Sequence, residues 1–365
     1  MKDYFVALHD NVKVSNDFIH DVTDYASDYQ DSTRALGGFW TGGFTLRRPL
    51  PELEEWFNHF IGYRIVRSVG GIVFWEGLIS QMRLTSGGQT YVRDVNTMVN
   101  RAQVLYTDTT GGSTLSTAWS TNGLSLSQYG QREETFTFDG STSAMAAAYR
   151  DTQLAEYAYP RARGAGGELF GEIVTDPVLS IQTSGYVFTM NWRYVTTSNA
   201  AQVNASAFIT TLVGESEFVT AGIIETNTTQ VPQRFLSPTR VWDGIERVVK
   251  LGDANGIRYV TGVGAGRKLY YRAAATGVTY HQRGGRLYHL DGSDVLPGEV
   301  QADRIARRAD APTGQSTSDF LDPRNMYIEQ ADFIAPGTIQ VRASEWTFAD
   351  ILQARLEQMR EAERG

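Results

Sequence analysis

The spacing of apolar positions changes along this chain, and each change marks an element. Tyr4-Phe5-Val6-Ala7-Leu8 predicts a strand, and the Asp/Tyr-rich remainder of 1–35 a loop. Phe39, Trp40, Phe44 and Leu46 then lie among β-formers interrupted by Gly42-Gly43. A phosphate-cradling loop would place a helix after its glycines. Here another strand-like segment follows, so the glycines predict a bulge or a close backbone approach. From Leu53 the period lengthens: Leu53, Trp56, Phe57, Phe60 and Ile61 share one helical face. Pro49 and Pro51 suit the first turn, Glu52, Glu54 and Glu55 complement the dipole, and Gly62 suits the end. Burial of Trp56, Phe57 and Phe60 is expected, with Trp56→Ala costing about 3–5 kcal/mol. Arg64–Arg67, Ile72–Trp75 and Leu78–Leu84 read as strands, with turns at Gly70-Gly71 and Gly87-Gly88. Tyr91–Asn96 and Ala102–Tyr106 add strand.

Residues 108–143 shift to Thr, Ser, Gly and Gln and read as a polar insertion or linker. Ala144–Tyr159 follows as a helix stopped by Pro160, and ARGAGGE is a flexible joint. Beyond it Val178–Ile181, Tyr186–Tyr194 and Arg258–Val263 predict strands. Helices are predicted over about 200–213 and Arg240–Leu251. The second carries Val241, Ile245, Val248 and Val249 on one face and closes at Gly252. IRYVTGVGAGRKLYYRAA reads as strand, glycine turn, strand; residues 276–325 are turn-rich, and Met326–Phe333 and Gly337–Val341 are late strands. At the C-terminus Thr347 and Asp350 resemble a capping box, with Trp346 and Ile351 as its staple. The stripe of Phe348, Ile351, Leu352, Leu356 and Met359 predicts a narrow helix that must dock onto something. The organisation is therefore a β-rich α+β chain. It divides into a first β-rich domain (1–107), a polar insertion and helical connector (108–165), a second β-rich domain (166–340) and a C-terminal docking helix (341–365).

Composition agrees with strands and tight turns: 18 Tyr, 17 Phe, 7 Trp and 36 Gly in 365 residues, with 41% apolar content for a core. No apolar run approaches the roughly 18 residues of a membrane helix. MKDYFVALHDNVKV lacks a signal-peptide apolar block, so a soluble, unprocessed chain without a membrane anchor is expected. The absence of cysteine excludes disulfides, thiol nucleophiles and zinc-thiolate sites. A net charge of −8 argues against non-specific phosphate binding.

The chemical motifs fail one by one. His9, His20, His59, His281 and His289 are scattered; the last two flank a Gly-Gly turn and would make half a metal site if they faced each other across a hairpin. There is no nucleophile elbow, and GGST and DGSTS have turn composition. Asp253 in GDANG, and Asp291 with Asp294, resemble calcium-loop fragments, but position 12 from Asp253 is Gly264. GVGAG at 262–266 is followed by Arg267 and a strand, which excludes a dinucleotide fingerprint. Arg304, Arg307 and Arg308 are flanked by Asp303 and Asp310, and suit an ion pair or a solvated face. No catalytic residue, metal or cofactor is expected.

The runs GGFWTGGFTL, LEEWFNHFIGYRIV and VFWEGLISQMRLTSGGQTYVRDVNTMVNRAQVLYTD resemble the first part of tail proteins from tailed bacteriophages and prophages. YRDTQLAEYAYPRA, GYVFTMNWRYV, NTTQVPQRF, LGDANGIRYVTGV and DPRNMYIEQADFIAP resemble later parts in the same order, so the likeness spans roughly 36–340. Residues 1–30 and 108–143 have no counterpart in it. The resemblance is to tail-tip or baseplate hub components. It implies two tail-tube-like β-barrels in one chain, each with a packed helix, and a homotrimeric ring of pseudo-six-fold symmetry. That ring would join the tail tube or distal tail protein to a spike or fibre protein, with genome DNA passing through its lumen without specific binding. It would be made in the bacterial cytoplasm and used in the virion. On this reading Phe348, Ile351, Leu352, Leu356 and Met359 form an assembly interface. Two other readings compete: a distal tail adaptor or glycan-binding module, with Trp119, Tyr129 or Tyr288 stacking on sugars, and a tail-associated hydrolase with carboxylates hidden in the fold.

Overall fold

The computed structural model describes residues 4–13, 15–108, 112–164, 176–195, 202–232, 239–273, 280–283, 286–289, 300–303, 326–334 and 338–345. Strands β1 (Phe5–His9), β2 (Phe18–Asp21), β3 (Ser27–Arg34) and β4 (Gly37–Leu46) precede helix α1 (Leu50–His59). Strands β5 (Arg64–Val69), β6 (Ile72–Ser86) and β7 (Gln89–Asp94) follow as a meander. Next come β8 (Arg101–Thr107), β9 (Thr114–Ser116), β10 (Ser120–Thr121), α2 (Gly123–Tyr129), β11 (Glu133–Thr137), α3 (Ser143–Tyr157) and β12 (Arg163–Gly164). Strand β13 (Val178–Gly185) runs into a 3-10 helix (Tyr186–Trp192). After it lie β14 (Tyr194–Val195), β15 (Gln202–Asn204), α4 (Ala205–Gly214), β16 (Thr220–Ile224), β17 (Gln230–Pro232), β18 (Thr239–Arg240) and α5 (Val241–Lys250). The last described elements are β19 (Tyr259–Gly264), a 3-10 turn (Ala265–Arg267), β20 (Lys268–Ala273), β21 (Tyr280–Arg283), β22 (Arg286–His289), β23 (Val300–Asp303), β24 (Met326–Ile334) and β25 (Thr338–Glu345).

The molecule is β-rich with packed helices. Two separate barrels, one on each side of residue 165, are not the arrangement of the described residues. Fifteen strands join one sheet whose main path is β2-β1-β5-β6-β13-β4-β3-β24-β25-β23. Strand β13 pairs antiparallel with both β6 and β4, and β19 adds parallel to the start of β4. Strands of the later half are thus threaded between strands of the earlier half. The glycines of β4 permit it: a Cβ at Gly43 would sit 2.8 Å from the Ile181 carbonyl oxygen, and one at Gly42 equally close to Thr183 Oγ1. The GGFWTGGFTL stretch is one ten-residue strand, and its Gly42-Gly43 pair lets β13 approach.

One apolar core crosses the same boundary. It joins Leu8, Ile65, Trp75 and Ile79 of the early strands to Phe208, Leu212, Ile245 and Val249 of α4 and α5. Helix α1 starts with proline in its first turn and buries Leu53 and Phe57, with Ile61 just past its end. Trp56 remains half-buried against Phe44 and Phe60, so its truncation costs less than a fully buried tryptophan's. The buried indole is that of Trp75, at 0% exposure.

Several local expectations change. Residues 11–35 hold β2 and β3 rather than a loop. Ile72–Trp75 and Leu78–Leu84 are one continuous strand, β6. The span Tyr186–Tyr194 is largely 3-10 helix, with Tyr186, Val187, Thr189 and Met190 buried. Strand β8 leaves the main sheet and pairs with β9, β10 and β11. Residues 112–143 therefore fold, and α3 closes a second small core of Val104, Tyr106 and Ala146 with Phe136, Phe138 and Tyr149. No described helix is long and apolar enough to cross a membrane.

Candidate functional site

The expected docking stripe of Phe348, Ile351, Leu352, Leu356 and Met359 lies outside the described residues, as do Arg304, Arg307, Arg308, Asp291 and Asp294. Residues 341–345, placed at the start of that C-terminal segment, belong to β25. Of the candidate sugar platforms, Tyr129 is buried at 9% exposure, edge-on to Tyr159, and presents no face to solvent. Trp119 is half-buried, with the Arg101 guanidinium 5.0 Å above its ring. Tyr288 lies in β22, in register with His281, while His289 is in register with Tyr280. The two histidines are therefore not partners across the hairpin. GVGAG ends β19 and enters the turn to β20, and Asp253 closes a turn by accepting from the amides of Asn255 and Ile257. Among the described residues no three His, Asp or Glu side chains are placed to hold a metal ion.

Two features do concentrate chemistry on the surface. The first is a pocket of about 350 Å³ lined by Asn96, Met98, Arg132, Glu133, Glu134, Phe188, Asn191, Trp192, Arg240 and Asp243. Buried Asn100 holds the Arg132 backbone: its Nδ2 donates to the Gly130 carbonyl that ends α2, and its Oδ1 accepts from the Arg132 amide at 2.8 Å. The Arg132 carbonyl in turn accepts from the amides of Asn100 and Arg101. So clamped, Arg132 is 4% exposed, and its guanidinium carbon lies 3.2 Å from the centre of the Trp192 indole. Nη1 donates to the Val95 carbonyl at 2.8 Å, while Nε has no partner. Burial, only partly offset by the charge of Asp94, pulls its pKa from the usual arginine range to about 9. Glu133 accepts from Arg101, Gln131 and the Tyr194 amide. Glu134 accepts from Arg240 and from the Tyr194 hydroxyl, and Arg240 also donates to the Asn191 carbonyl at 2.7 Å. The Asn191 Oδ1 is buried without a partner.

The second feature is apolar. Phe5 and Phe18 stack on each other in the open, with ring centres 6.4 Å apart and exposures of 39% and 56%. Ile72 and Phe74 are exposed by 66% and 48%. Phe18 lies on β2, Phe5 on the neighbouring β1, and Ile72 and Phe74 on β6, which β5 separates from β1; β2 ends the sheet path. Among the described residues β2 has a neighbour on one side only, beside exposed aromatics.

Sequence reasoning missed both features. Arg132 sits in QREETF, which has the composition of a solvated charged face, and nothing local marks it as buried. Phe18 was hidden in a segment too polar to register as strand.

No family model matches this sequence, and no curated protein matches it. Among solved structures, the crystal structure of the tail protein from Neisseria meningitidis MC58 is similar over 98% of this chain and 76% of that one, at 9% identity and a TM-score of 0.38. A likeness that distant carries no argument about this chain.

Proposed function

We propose that the chain is a structural component of a bacteriophage tail tip, a baseplate hub. Its copies close a trimeric ring that joins the tail tube to the tip or spike and lines the DNA channel. The observation that carries this reading is what the tail-protein-like motifs do in the fold. GGFWTGGFTL is β4, Leu53, Trp56 and Phe57 of LEEWF form the apolar face of α1, the WEG run lies in β6, and GYVFTMNW leads from β13 into the 3-10 helix. Every one of these serves packing, which suits a building part. The exposed apolar side chains Phe5, Phe18, Ile72 and Phe74 support the same reading, because a ring subunit must bury apolar surface against its neighbours.

The edge gives a direct test. Phe18→Asp with Ile72→Asp places charges at two exposed positions, where folding stability changes by about 0.5 kcal/mol or less. We expect the doubly substituted chain to keep the wild-type circular-dichroism spectrum and to run as a monomer by light scattering where the wild type assembles. Assembly unchanged in the double variant would remove this edge from the interface.

A further inference from the structure

We propose that the pocket between β11 and the start of α5 is a receptor site for a carboxylate carried by a peptide, either an acidic side chain or a free C-terminus. The inference does not depend on the tail reading.

Arg132 is a buried cation with no ion pair among the described residues; its one described side-chain acceptor is the neutral Val95 carbonyl, and Nε donates to nothing. A buried charge that Asp94 offsets only in part is costly to keep, and a carboxylate is the partner whose geometry matches a guanidinium edge. The pocket's own acids do not fill that role. Glu133 and Glu134 are engaged by Arg101 and Arg240. Asn191 adds a second unmet group, its buried Oδ1. Its carboxamide can present either end, and so can meet a carboxylate oxygen or a peptide N–H. Helix α5 contributes a third. Its N-cap, Arg240, supplies no side-chain cap, and both Arg240 and first-turn Asp243 line the pocket, so the positive end of the helix faces it.

The remaining lining selects among anions. Asp243 is exposed at the rim and repels a compact multiply charged ion such as phosphate, whereas a peptide presents N–H donors there. Met98, Phe188 and Trp192 supply apolar wall for methylene groups. The volume, about 350 Å³, lies in the range of roughly 300–1,000 Å³ typical of ligand sites.

The test titrates the full chain calorimetrically with four probes. N-acetylglutamate N-methylamide carries a side-chain carboxylate only, N-acetylalanylglutamine a terminal carboxylate only, N-acetylglutamine N-methylamide neither, and inorganic phosphate is the plain anion. We expect at least one carboxylate probe to bind at least about tenfold more tightly than the neutral probe and phosphate. The tighter of the two carboxylate probes identifies the source. Arg132→Met should abolish that preference and Arg132→Lys should keep part of it, since the ammonium retains the charge but not the fork. Should Arg132→Met fail to fold, Asn191→Leu decides, because it leaves the Asn100–Arg132 clamp intact; a severalfold weaker affinity is expected, with an unchanged melting temperature. Equal binding of the charged and neutral probes, phosphate binding as tightly as the peptides, no binding at millimolar concentrations, or wild-type affinity in Asn191→Leu would each overturn the assignment.

Discussion

Replacing Trp75 with alanine is expected to destabilise the fold by about 3–5 kcal/mol. That is a large share of the roughly 5–15 kcal/mol that holds a typical domain together, so poor expression or aggregation should accompany it. Trp75 is fully buried near the start of β6, with Arg67 of β5 as its register partner. Its indole Nε1 donates to the Ser32 carbonyl of β3 at 3.2 Å. Truncation therefore opens a cavity and also removes the hydrogen bond that the indole makes to that carbonyl. Nearby side chains cannot easily collapse into the space, because the strands on both sides are hydrogen-bonded into the sheet. Equilibrium denaturation in urea checks the expectation: the midpoint should fall sharply with the slope preserved. A variant with a wild-type midpoint would show that this tryptophan does not anchor the core. Trp56→Ala, on the half-buried face of α1, should fall well short of the same effect.

The neighbouring residue gives the second large effect. Glu76 is completely buried, ion-paired to Arg64 Nη2 of β5, and its Oε1 accepts from the Arg267 amide at 2.6 Å. It ties β6 to the turn between β19 and β20, from the opposite half of the chain. Arg267 holds a positive φ of 59°, unusual for a residue with a side chain, and the carboxylate secures its amide there. Glu76→Ala strands a largely buried guanidinium, which keeps only its bond to Asn16, and frees the turn. A loss of about 3–5 kcal/mol is expected. Glu76→Gln keeps an acceptor for the Arg267 amide and should cost clearly less. Measuring both midpoints tests the ion pair itself. Equal losses would mean that the whole effect lies in the charge and that the acceptor retained by Gln contributes nothing.

These two residues also indicate what was legible in the sequence. Trp75-Glu76-Gly77 stood out as a tail-protein-like run, but the sequence held no clue to its physics. The structure supplies it: a Cβ at Gly77 would lie 2.5 Å from the Trp75 ring and 2.4 Å from the Ser184 carbonyl oxygen. Short-range periodicity was readable. Helix α1, the hairpin turns at Gly70-Gly71 and Gly87-Gly88, helices α3, α4 and α5, and the strand-turn-strand around GVGAG all lie close to where their patterns put them. Strand order was not readable, because pairing β13 between β6 and β4 depends on close backbone approach rather than on either strand's own pattern. The polar stretch 108–143 misled for a related reason. Its β9, β10 and β11 are short or exposed strands on β8, with little apolar alternation to reveal them. The pocket was invisible because its key residues, Arg132, Asn191 and Trp192, come from distant segments and carry no motif.

The central claim, that this chain is a ring-forming part of a tail tip, is tested most directly by the mass of the purified particle in solution, measured by light scattering and followed by averaged electron images. The account predicts about three times the chain mass and a closed ring with a central hole. A stable, well-folded monomer at high concentration, or a six-fold ring, would contradict it.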